Sequence, residues 1–175
     1  INEFGYGFSN PFTGVYIAPD EEKEKRRQND DLRHLLAMLL DTGMRLSEAA
    51  GLHVSGIHLE HEFPHVEVRP NKARRLKHSN SKRIIPLVGD SLWAAQQVTA
   101  TEQGYCFPRY ARDGYCNGNS ASAALRKWMK NYCEAGATVQ GMRHAFRDRL
   151  RAGEAPVDLV DQLGGWSVKS VGMGY

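Results

Sequence analysis

Residues 30–43, DDLRHLLAMLLDTG, constrain this chain more than any other stretch. Leu32, Leu35, Leu36, Leu39 and Leu40 recur at steps of three and four. That spacing gathers them on one face of an α-helix, and Gly43 predicts its end. Such a stripe must be covered by other elements, because a helix with one apolar face is stable only when that face is packed. The fold is therefore expected to be layered around this helix. At 175 residues, with 41% hydrophobic and 25% charged residues, the chain suits one globular domain with a sizeable core.

The pattern then changes period. LSEAAGL predicts a short helix, with Ser47 as a candidate N-cap. GIHLE, HVEVRP and KRIIPL read as strands: Val66 and Val68 alternate with polar neighbours, and Ile84 and Ile85 precede Pro86. The basic stretch between the second and third strands predicts an exposed hairpin tongue. Helical patterning returns at Gly89, with Asp90 or Ser91 as cap. YCFPRYARDGYCNGN reads as a loop. SASAALRKWMKNYCEAG predicts an amphipathic helix closing on Gly136. TVQGMRHAFRDRLRAG and APVDLVDQLGGW predict two more, the latter opened by Pro156 near its first turn. The expected class is mainly α with a small antiparallel β-sheet.

Several functions are disfavoured by composition. The apolar run LLAMLL is too short to span a membrane, and INEFGYGFSNPF lacks the features of a signal peptide. Three cysteines, Cys106, Cys116 and Cys133, show no CxxC spacing, which predicts a reduced, cytoplasmic protein. His53, His58, His61 and His65 lack clean ligand spacing, so no metal site is expected. Trp93 and Trp128 are expected in the core. Residues 1–30, with Pro and Gly breakers and the mixed charge run EEKEKRR, predict a linker arm from a preceding domain. Net charge is only +3, yet residues 69–83 hold seven Lys or Arg and no acid. Such a patch suits a polyanion; a solvated loop is the plainer alternative. Arg147 or Arg151, in FRDRLR, is a further candidate backbone contact.

Two arginines stand at helix starts, where their charge opposes the helix dipole. They are Arg45 in TGMRLSE and Arg143 in QGMRHAF. Such a place suits an anion held beside free backbone N–H groups, and two guanidiniums can clamp the non-bridging oxygens of one phosphate. Lys77 stands on the tongue in LKHSNSKRIIPL. Trp166 offers one indole N–H, and Tyr175 offers a phenol nine residues later.

Taken in order, TGMRLSEAAGL, LKHSNSKRIIPL, QGMRHAFRDRL and LGGWSVKSVGMGY resemble the four conserved boxes of the tyrosine recombinases, the phage integrase family. The resemblance runs from about residue 31 to residue 175. It implies the catalytic-domain fold of the DNA breaking-rejoining enzymes over 31–175, with the chain ending at the nucleophile. It implies Arg45, Lys77, Gln140, Arg143, Trp166 and Tyr175 as catalytic residues. Glu48 and His144 are expected in support, His144 in the core or behind the site. Arg69, Lys72, Arg74, Arg75, Lys82 and Arg83 are expected on DNA, and Lys72 is a second candidate for the catalytic lysine.

The implied activity is site-specific recombination of double-stranded DNA through a 3′-phosphotyrosyl intermediate, in a cytoplasm of bacterial or phage origin. The bond energy stays in the covalent intermediate, so no cofactor is expected. The family works as a tetramer on DNA; this chain, without a segment past the tyrosine, is expected to be a monomer with a mobile Tyr175. One departure stands out. The family's His-x-x-Arg reads here Gln140-Gly-Met-Arg143, and glutamine cannot take a proton near neutral pH. A crippled or non-catalytic DNA-binding module is therefore an alternative, and a type IB topoisomerase shares the chemistry.

Overall fold

The computed structural model describes residues 30–76, 81–100, 104–133 and 136–166. The leucine-rich stretch forms α1 (Asp30–Thr42), and it is buried well beyond one stripe. Leu35, Leu36, Ala37 and Met38 are fully buried, because α1 packs against α2 (Leu46–Ala50), α3 (Gly89–Thr99), α4 (Gly118–Met129) and α5 (Val139–Ala152). A central helix is apolar nearly all round.

Gly43 ends α1 for two physical reasons. Its φ is +59°, and a Cβ there would lie 2.3 Å from the Phe146 ring of α5. The turn therefore needs glycine both for its left-handed backbone and for the close approach of α5. Arg45 occupies the N-cap of α2. Ser47, expected there, lies inside the helix, and the Glu48 carboxylate accepts from the Arg45 backbone N–H at 2.8 Å instead. At α3 the N-cap is Val88 rather than Asp90 or Ser91. Ser91 Oγ bonds back to Val88, and Asp41 of α1 accepts from the Asp90 N–H at 3.0 Å.

A three-stranded antiparallel sheet, order β1-β2-β3, lies between α2 and α3 in the chain. Its strands are β1 (Ile57–His58), β2 (His65–Val68) and β3 (Arg83–Pro86). Val66 pairs with Ile57 and Ile85, and Val68 pairs with Arg83. In β3, Arg83 and Ile85 point inward while Ile84 and Pro86 point out. The tongue between β2 and β3 is not wholly exposed: Ala73 and Arg74 are buried. Residues 77–80 lie outside the described residues.

The segment expected as a loop after α3 contains a second hairpin, β4 (Ala111–Arg112) paired with β5 (Tyr115–Cys116). Asp113-Gly114 makes its two-residue turn, with Gly114 at φ +74°, and Asp-Gly is a strong hairpin signal. Asn117 and Thr138 cap α4 and α5. The amphipathic helix expected to reach Gly136 stops at Met129. The last helix, α6 (Val157–Gly164), starts after Pro156 at its N-cap and ends at Gly165 in a left-handed turn, φ +62°. Trp93 and Trp128 pack half-buried against the core. Among the described residues no helix is long and apolar enough to cross a membrane.

Candidate active site

The site is organised around one buried carboxylate. Glu48 is 3% exposed and Arg83, from β3, is 7% exposed. The Glu48 oxygens accept from Arg83 Nη2 at 2.7 Å and Nη1 at 3.2 Å, and from Arg45 Nη1 at 2.9 Å. Burial alone would raise the Glu48 pKa. Hydrogen bonds and charge from Arg83, with further bonds from Arg45, outweigh it and hold the carboxyl below its ordinary value. The ionised carboxylate thus fixes two guanidiniums in place.

The same arginines hold the end of α6. Arg83 Nε donates to the Leu163 carbonyl at 2.8 Å, and Arg45 Nη2 donates to the Gly165 carbonyl at 3.0 Å. Cations suit the negative end of a helix dipole. The turn that follows brings Trp166 against Gly164, where an added Cβ would come within 1.7 Å of the indole ring.

Arg143 comes from the second turn of α5 and is 6% exposed. Its Nη1 donates to the Gly43 carbonyl, and its guanidinium lies 4.4 Å from the centroid of the Trp166 ring. Burial, then the neighbouring charge of Arg45, with smaller contributions from Arg83 and Arg147, pushes its pKa down to about 10; Glu48 opposes this. Arg143 therefore remains charged at neutral pH. Gln140 is exposed on the first turn of α5.

Arg45, Gln140, Arg143 and Trp166 line one open cavity of about 560 Å³. It presents fixed cations, an amide and an indole to solvent, a set suited to an anion with several acceptor oxygens. Lys77 and Tyr175 lie outside the described residues.

Three expected residues sit elsewhere. His144 is exposed rather than in the core, because one residue along a helix turns the side chain by about 100° from Arg143. Arg83 is no surface contact; it is the counter-ion of Glu48. Period-two alternation with buried Ile85 could have shown this. Arg74 is 8% exposed and packs where a Gly51 Cβ would be, its Cδ 2.8 Å from that point. Burial lowers its pKa first, against the attraction of Glu48. Arg69, Lys72, Arg75 and Lys82 are exposed as expected. Of these, Arg69 pairs with Glu67 at 3.4 Å and Lys72 with Asp113 at 3.3 Å. Ser122 and Asn119 of α4 also line the cavity; nothing in their spacing singled them out.

Solved structures of two recombinases and a transposon integrase share this fold of helices around a small antiparallel sheet. XerA recombinase matches with a TM-score of 0.62 at 16% identity, over 87% of this chain and 56% of that one. The Tn1549 transposon integrase in complex with circular intermediate DNA matches with a TM-score of 0.56 at 22% identity, over 89% and 56%. XerH site-specific recombinase bound to difH substrate gives 0.54 at 14% identity, over 90% and 45%. The chain thus spans about half the length of these proteins. A search of curated proteins finds no match. The model of the phage integrase family matches residues 20–175, and the chain belongs to that family.

Proposed function

We propose that this chain is the catalytic part of a site-specific DNA recombinase that cuts and rejoins double-stranded DNA through a 3′-phosphotyrosyl intermediate. The observation that carries this reading is the convergence of Arg45, Gln140, Arg143 and Trp166 on one cavity. Each arginine in it is held by the protein's own acceptors. Fixed donors of this kind stabilise charge that develops in a transition state without having to reorganise.

In the proposed reaction the Tyr175 oxygen attacks the scissile phosphorus. The bond from phosphorus to the 5′-oxygen breaks, and the 3′-phosphate becomes joined to the tyrosine. Free tyrosine has a pKa of about 10, so the phenol is protonated at neutral pH and passes its proton to bulk water as it attacks. Lys77 delivers a proton to the departing 5′-oxygen, with Lys72 as the alternative donor. Arg45 and Arg143 bind the two non-bridging oxygens, and Trp166 and Gln140 donate to the same group. A free 5′-hydroxyl attacking the phosphotyrosine reverses these steps and rejoins the strand.

The DNA path runs over the exposed cations Arg69, Lys72, Arg75 and Lys82. The protein works as a tetramer on DNA, in a cytoplasm of bacterial or phage origin, and is a monomer when free of DNA. The test is to incubate the chain with a pool of nicked suicide duplexes of randomised sequence and look for a denaturant-resistant protein–DNA band. The band is expected with the wild type and absent in Tyr175→Phe. Salt-dependent DNA binding with no band from either protein would leave a DNA-binding module in its place.

A further inference from the structure

One face of α5 carries a second guanidinium that the phosphate cavity does not include. Arg147 stands one turn beyond Arg143, and its guanidinium carbon lies 5.6 Å from the centroid of the Trp166 ring. Arg143 approaches the same ring at 4.4 Å. Like charges four residues apart on a helix repel. Here an electron-rich indole is shared between them, and cation–π attraction offsets the repulsion.

Arg147 is poorly held by anything else. Its Nε is buried with no hydrogen-bond partner among the described residues. Its ion pair is with the adjacent Asp148 at 4.0 Å, and its side chain is 30% exposed. Trp166, for its part, leaves α6 through the left-handed Gly165 and has no helix of its own to fix it. Its backbone N–H is held by the Asp161 carbonyl at 3.0 Å. Its ring rests on Gly164 and the two arginines.

We infer that Arg147 is a positioning residue: its charge holds the Trp166 indole over Arg143 and so keeps both at the wall of the phosphate cavity. It acts through Trp166 rather than on DNA. This rests on the proposed recombinase reading for its effect on cleavage, but not for its effect on the indole.

The test uses the whole chain with Trp93→Phe and Trp128→Phe, which leaves Trp166 as the sole tryptophan of the three. Into it go Arg147→Met, which keeps the apolar stem, Arg147→Lys, which keeps the charge, and Arg151→Met as an exposed control on the same helix. Arg147→Met is expected to raise acrylamide quenching of Trp166 about twofold and to shift its emission to the red, with helical circular dichroism unchanged. Arg147→Lys and Arg151→Met are expected to keep the parent's Trp166 quenching and emission. On suicide duplexes, Arg147→Met is expected to slow adduct formation about fivefold to tenfold, the size of a lost cation–π contact, while duplex affinity and its salt slope hold. Unchanged Trp166 quenching in Arg147→Met overturns the inference. So does an unchanged indole with a lower salt slope, which makes Arg147 a phosphate contact. A parent that forms no adduct, but whose Trp166 quenching follows this pattern, contradicts the recombinase reading and leaves the positioning role standing.

Discussion

At the scale of single residues, Glu48 is the pivot. Its side chain and that of Arg83 are 4% and 2% exposed, so removing one charge strands the other in the interior. Glu48→Gln is expected to cost ~3–5 kcal/mol of stability, the usual penalty for breaking a buried pair from one side, measured by urea denaturation. The pH dependence has a definite sign. Glu48 is held below its ordinary value of 4.5, so the unfolded chain binds this proton more tightly than the folded one. The contribution is complete above pH 4.5 and fades as the pH falls through the lowered folded value. Midpoints measured across that range should drop in the wild type and drop less in Glu48→Gln. A parallel fall in both would contradict the assignment. Gln140 belongs to this scale as well. Gln140→His restores a group that titrates near neutrality, and adduct formation should rise about tenfold or more, with a new dependence on pH between about 6 and 7.

At the scale of elements, the turns decide the geometry. Gly43 holds the approach of α1 to α5, and its carbonyl accepts from Arg143. Gly43→Ala must adopt a left-handed backbone and push Phe146 aside. The expected cost is ~2–4 kcal/mol, from backbone strain and overpacking together, seen as a lower thermal midpoint. Gly164→Ala should be milder for stability but should displace the Trp166 ring, which shows in Trp166 emission.

Most elements were legible in the sequence because periodicity reports directly on burial. The leucine stripe and the alternating valines each follow a local rule. Ser47 and Ser91 are not the caps, because a helix start can be closed by an acceptor inside the helix or on another element. Glu48 closes α2 from within, and Asp41 serves α3 from α1. The β4–β5 hairpin hides in a segment without strand alternation, and only its Asp113-Gly114 turn announces it. The site was half legible. Arg45, Arg143 and Trp166 can be found from their boxes, but in sequence Arg83 and Arg74 look like surface charge. A run of basic residues does not show which of them a buried carboxylate will take in.

At the scale of the whole molecule, charge is partitioned into two sets. Arg45, Arg83 and Arg143 are built into the framework around Glu48, whereas Arg75 and Lys82 stand exposed on the tongue. The two sets should respond differently. Arg75→Ala is expected to weaken binding to any duplex and to lower the salt slope by about 0.9, one released counterion, without loss of stability. Arg74→Ala is expected to lower the unfolding midpoint instead. Filter binding over a salt series, beside thermal melts, separates the two.

The central claim is that the cavity walled by Arg45, Gln140, Arg143 and Trp166 presents a DNA phosphate to Tyr175. Mass spectrometry of a trapped adduct tests it most directly. After nuclease and protease digestion, the account predicts a nucleotide joined through its 3′-phosphate to Tyr175, with a free 5′-hydroxyl on the released strand and no adduct in Arg143→Ala. A nucleotide joined to another residue, or joined through its 5′-phosphate, would contradict it.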